Sequence, residues 1–135
     1  MKKLALAFAF TLFLTACSSG TSVSESPINL SGKYTGTFQN QDDTDKGTVI
    51  IDLVENSAGE FSGIAQFIDS VCLNNGTVSS GTTSGFSVNL VVNQDGGGIT
   101  LQLNSNNKGR LNGTYLASGD CSNGTGAGSI SLSRG

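Results

Sequence analysis

Few residues in this 135-residue chain can do chemistry: three cysteines, ten carboxylates, two tyrosines and no histidine. Without an imidazole base, a serine or cysteine nucleophile has no triad partner. Cys17, Cys72 and Cys121 show no Cys-x-x-Cys spacing and have no histidine to join them, so a cysteine–histidine metal site is not expected either. Asp42, Asp43 and Asp45, followed by Gly47, have the look of a calcium-binding loop. A twelve-residue calcium loop needs another oxygen ligand before its glycine and a bidentate glutamate at its end. Lys46 occupies the first of these places and the later acid is missing, which leaves a solvated hairpin loop as the expectation. Asp52 and Glu55 sit at one strand end rather than as a positioned acid and base, and no glycine-rich phosphate cradle opens a helix. Neither an enzymatic activity nor a cofactor is expected.

The first residues carry a clearer message. Lys2 and Lys3 precede an apolar run over residues 4–14 that only Thr11 interrupts. A basic start and a short apolar stretch mark an export signal, whereas a membrane-crossing helix needs about 20 apolar residues. The run ends in Leu14, Thr15, Ala16 and Cys17, which resembles the lipobox of bacterial lipoproteins. The resemblance implies a diacylglyceryl thioether on Cys17, cleavage before that residue, and acylation of the new amine by palmitate or a similar chain. Two or three acyl chains hold a protein to a bilayer stably. The alternative is an ordinary secretory signal with Cys17 as a bystander thiol. Ser18 and Ser19, with no aspartate after the cysteine, imply outer-membrane sorting from the periplasm in a Gram-negative cell.

Residues 1–16 are therefore expected to be a signal peptide, 17–27 a lipidated tether and 28–135 one domain. Residues 18–27 hold Val23 as their one large apolar side chain, too little to offset ordering entropy. Ten flexible residues reach roughly 18 Å. With Cys17 lipidated in this reading, Cys72 and Cys121 remain in an oxidising compartment and can form one disulfide bond. Closing a loop of about fifty residues stabilises by roughly 4 kcal/mol in the chain-entropy model. Beyond the leader the chain has five basic and ten acidic residues, a formal charge of −5, with Lys33, Lys46, Lys108, Arg110 and Arg134 dispersed along the sequence. Nucleic acid and anionic lipid both call for a basic patch, so neither is expected as a partner of the domain.

From Ile28 onward the apolar period is two. Tyr34 and Phe38, Val49 to Leu53, Phe61 to Phe67, Phe86 to Val92, Ile99 to Leu103, Leu111 to Tyr115, and Ile130 with Leu132 each alternate with polar neighbours, and Val78 marks a weaker fourth run. Turn-forming clusters of Asp, Asn and Gly separate them, so successive strands should pair as antiparallel hairpins. Eight short strands, each with one apolar face, predict an all-β, up-and-down antiparallel barrel, since closure leaves no exposed edge. A transmembrane barrel would need longer strands with an apolar outside; here the alternate face is largely Ser, Thr, Asn, Lys and Asp. Gly32, Gly63 and Gly113 stand in inward rows, as barrel corners do.

Leu30, Ser31, Gly32, Lys33, Tyr34 and Thr35, with Gly59 to Gly63 later, resemble the first and third strands of avidin-like barrels, and Gly32-x-Tyr34 is similar to the Gly-x-aromatic opening of lipocalins. The resemblance implies a small calycin-like barrel. Avidin-like biotin sites use several tryptophans and this chain has none, so that ligand does not carry over.

The inward side chains, from Tyr34 to Leu132 and with Phe86 among them, supply enough bulk to fill a narrow eight-stranded bore. Ile50, Ile64 and Ile68 take the outward parity of their strands. Such a patch either receives a partner or is covered by Ile28, Leu30 or the connection around Val71 and Leu73. The expected function is thus a membrane-anchored, non-catalytic binding module of the cell envelope, with an envelope or external protein as partner. A calycin-like carrier of a small hydrophobic ligand is the alternative and a hydrolase the third reading.

Overall fold

The computed structural model describes residues 29–106, 108–118 and 126–135. The leader, Cys17, the tether over 17–27 and Cys121 lie outside the described residues. Eight strands follow in order: β1 (Gly32–Asn40), β2 (Lys46–Glu55), β3 (Phe61–Ile68), β4 (Gly76–Ser84), β5 (Ser87–Gln94), β6 (Gly97–Ser105), β7 (Arg110–Ala117) and β8 (Ala127–Arg134). Each pairs antiparallel with the next, and β8 returns to β1, closing the barrel. The up-and-down topology expected from period and turn spacing is the one observed, and it is compatible with a calycin-like fold.

Register turns the sequence period into an inside and an outside. Tyr34, Val49, Ile51, Leu90, Ile99 and Leu101 are at most 1 % exposed, and the whole inward set forms one core. Phe38 packs edge-on against Phe67 and Tyr115, with ring centroids 5.7 and 6.2 Å away, the geometry that aromatic quadrupoles favour. Phe86 is the exception among the expected core residues. It follows Gly85 in a two-residue turn between β4 and β5 and is 53 % exposed. Gly85 at φ 59° in the first central position gives that turn the primed geometry of tight hairpins. The strand pairing starts only at Ser87, so the ring has inward parity but no bore to enter.

Two of the expected corners have the anticipated cause. A β-carbon on Gly63 would overlap the Asp52 carbonyl oxygen, and one on Gly113 would overlap the Gln102 carbonyl oxygen. The strands coil so tightly there that backbone takes the place of a side chain. Gly32 differs, since it lies beside the Arg134 side chain instead of a neighbouring backbone.

One seam is short. β3 and β4 share three residue pairs, against seven or eight at each other seam. A bulge between Val78 and Ser80 shifts β4, whose sequence past Val78 has no apolar side chain. Past the bulge β4 pairs only with β5. The Phe61 ring closes the gap by lying against Gly81, where a β-carbon would come within 2.7 Å of it.

Both mouths are plugged. At the end where the chain enters, Leu30 is 5 % exposed and Arg134 lies over Tyr34, its Cζ 5.2 Å from the ring centroid. The guanidinium donates from Nη2 to Tyr34 Oη at 2.6 Å and to the Asn29 carbonyl at 2.9 Å, while Tyr34 Oη donates to the Leu30 carbonyl at 3.0 Å. At the far end Leu73, 2 % exposed, fills the opening. Among the described residues every strand and every buried apolar residue of the core lies between Leu30 and Arg134, and a chain starting at Ser18 contains all of them.

Candidate functional site

The outer wall has two characters. Across β5, β6, β7, β8, β1 and β2, Ser87, Asn104, Asn112, Ser131, Thr37 and Thr48 are direct neighbours in register. This uncharged band of hydroxyls and amides is an outside that water solvates and hydrocarbon does not. Two shallow grooves, of about 470 and 340 Å³, lie along such rows, one lined by Thr37, Gln39, Thr48, Ser129 and Ser131 and the other by Asn89, Gln102, Asn104 and Thr114.

The sector formed by β2 and β3 is different. Ile50 faces Gln66 across the ladder, Ile64 faces Asp52 and Ile68 faces Thr48. Ile50 is therefore diagonal to both other isoleucines, at a spacing long side chains bridge. Ile64 is 56 % exposed and Ile68 44 %, while Ile50 is half-buried between them. Val54, two residues along β2 from Asp52, extends the patch and is also exposed. Of the covering segments suggested by the sequence, Leu30 and Leu73 turn into the two mouths and Val71 is 64 % exposed, while Ile28 lies outside the described residues. Among the described residues Ile64 and Ile68 stay exposed.

A polar hub seats the far plug. Asn40, 5 % exposed, accepts through Oδ1 from the Thr44 and Asp45 amides at 2.8 and 3.0 Å. Asp45, 4 % exposed, accepts from the Ser70 hydroxyl at 2.6 Å and from the Val71 amide at 2.9 Å. Ser70 Oγ in turn accepts from the Cys72 and Leu73 amides at 3.1 and 2.7 Å. This chain of bonds folds residues 69–75 back over the mouth and delivers Leu73 to the core. Burial, with the Asp45 charge adding to it, pushes the Tyr115 phenol up to about 12.

The three aspartates of the β1–β2 loop thus part company. Asp43 accepts from Gln39 and pairs with Lys46 at 3.2 Å, while Asp45 turns inward, so the solvated loop expected from the sequence holds for its tip and not for Asp45. No spacing rule would have found the hub, because 25 residues separate Asp45 from Ser70. Cys72 packs against the core; its expected partner, Cys121, lies outside the described residues.

The bases are the second correction. Dispersed in sequence, Lys33, Lys108, Arg110 and Arg134 all come to the chain-entry end, because they stand at the start of β1, before and at the start of β7, and at the end of β8. Asp42, Asp43, Asp45, Asp69 and Asp95 gather at the far end with Lys46.

Searches against known protein families and curated proteins return no match for this chain.

Proposed function

We propose that this protein is a lipid-anchored, non-catalytic interaction module of the bacterial cell envelope. It is held to a membrane through Cys17 and captures a protein partner on the face of Ile50, Ile64 and Ile68. The observation that carries the binding role is that two isoleucines stand largely exposed on a barrel whose interior is already filled. A contiguous apolar patch with a polar surround is the usual form of a protein contact. The packed bore weighs against the carrier reading, since 21 buried apolar side chains among the described residues fill it and its mouths. The anchor rests on the residues from Leu14 to Cys17, and the disulfide bond between Cys72 and Cys121 on the oxidising compartment that anchor implies.

The binding role is tested with immobilised protein starting at Ser18 and its Ile50→Ser/Ile64→Ser variant, both exposed to envelope extract. The reading expects a protein retained by the first and lost by the second at unchanged melting temperature. Equal retention by both refutes it. The anchor is tested by the mass of the mature chain, which should carry acyl groups at residue 17. The disulfide is tested by thiol labelling without reductant, where modification of both Cys72 and Cys121 would overturn it.

A further inference from the structure

We propose that the barrel stands on its chain-entry end against an anionic phospholipid surface, meeting it through Lys33, Lys108, Arg110 and the ring of Phe86. The proposal rests on the lipid-anchor reading for its setting, yet its evidence is separate. Four of the five bases among the described residues lie at this end, and five of the eight acids lie at the other. Three of the bases, Lys33, Lys108 and Arg110, are exposed, while Arg134 is held over Tyr34.

The backbone joins these groups into one arc of the rim. Ser105 donates to the Phe86 carbonyl at 2.7 Å, which ties the β4–β5 turn to the β6–β7 turn. Arg134 donates to the Gly109 carbonyl at 2.8 Å and Gly135 to the Lys33 carbonyl at 3.0 Å, which ties that turn to β8 and β1. Phe86 is therefore an exposed aromatic at a hairpin tip adjoining the turn that leads to Lys108 and Arg110, a combination that can enter an interface with its ring and meet phosphates with its charges.

Of the acids at this end, Glu55 and Glu60 lie on the β2–β3 side of the rim, Glu55 accepting from the Leu30 amide and Glu60 from the Asn56 side chain. Asp52 is the direct cross-strand neighbour of Lys33 and offsets part of its charge, so Lys108 and Arg110 carry most of the attraction. The path of the chain agrees with the orientation, because Asn29 is bonded to Arg134 at this same mouth. An anchor at Cys17, twelve residues before the first described one, brings this end to the headgroups, and bases act there only within a Debye length of about 8 Å.

The test uses the unlipidated chain starting at Ser18, so that acylation plays no part in the result. Its cosedimentation is measured with vesicles of phosphatidylglycerol and phosphatidylcholine, and with vesicles of phosphatidylcholine alone. Binding to the anionic vesicles alone is expected, with loss in high salt. Each base removed should lower the partition about fivefold, so Lys108→Gln with Arg110→Gln should lower it on the order of 25-fold. Phe86→Ser should weaken binding several-fold with melting temperature unchanged, and Asp42→Asn with Asp43→Asn at the far mouth should leave the partition within twofold. Absence of binding to the anionic vesicles overturns the proposal, as does binding that the Lys108/Arg110 pair does not affect. A mature protein without acyl mass would instead overturn the anchor, which this experiment does not touch.

Discussion

Replacing Asp45 by alanine tests whether the far mouth is built on a buried carboxylate. The substitution leaves the Ser70 hydroxyl and the Val71 amide without their acceptor in a partly buried site. Hydrogen bonds to a charged acceptor contribute about 1.5–3 kcal/mol each, and with water replacing part of the loss the expected cost is about 3 kcal/mol. For a domain of roughly a hundred residues that lowers the melting temperature by about 15 °C. A second signature comes from Tyr115, whose phenol is pushed up to about 12 first by burial and then by the Asp45 charge. Removing that charge should bring the phenol partway back, read by ultraviolet titration in a Tyr34→Phe background so that one tyrosine reports. Asp43→Asn is the control, because its contacts are exposed, such pairs contribute under about 1 kcal/mol, and asparagine tolerates the left-handed backbone there at φ 55°. If Asp45→Ala melts with the native protein, or leaves Tyr115 unmoved, the hub does not hold the mouth.

The Tyr115 phenol also fixes a direction for alkaline stability. Its folded value lies above the ordinary 10, so the contribution is complete below pH 10 and is lost as pH rises towards 12, which denaturant titrations across that window should show. Arg134→Ala removes the cation over Tyr34 and the bond to Asn29, and should cost about 2 kcal/mol in the same denaturant assay, with Leu30 becoming accessible to proteolysis of its segment. Gly113→Ala drives a methyl into the Gln102 carbonyl and should destabilise by about 2–3 kcal/mol, whereas Gly98→Ala, whose nearest neighbours are 3.7 Å away, should be neutral or slightly stabilising by calorimetry. Backbone amides of β4 past the bulge that point toward β3 should exchange faster than that of Val78, because no ladder bonds protect them.

What could be read in advance follows the range of the interactions concerned. Period-two alternation is a local property, so the strands, the closed topology and nearly the whole core were legible from Tyr34 to Leu132. Phe86 was misplaced because parity says which way a side chain points and not whether the partner strand continues beside it; a glycine directly before it was the available clue. Outward parity alone also identified Ile50, Ile64 and Ile68, but whether they stay uncovered depended on where Leu30 and Leu73 go. The Asp45–Ser70 bond and the gathering of Lys33, Lys108, Arg110 and Arg134 depend on residues far apart in the chain. Charges that look scattered along a sequence of alternating hairpins can still lie on one rim, because every second turn returns to the same end.

The brief pairing of β3 with β4 also bears on how freely this chain could be re-cut. The start of β1 and the end of β8 are already in contact, since Gly135 donates to the Lys33 carbonyl and Arg134 to the Asn29 region. A circular permutant that joins these ends through a short glycine linker and opens within residues 69–75 would put its new termini at the seam with three residue pairs. The other seven seams, and the bonds that make the wall continuous, would then be internal to one uninterrupted meander.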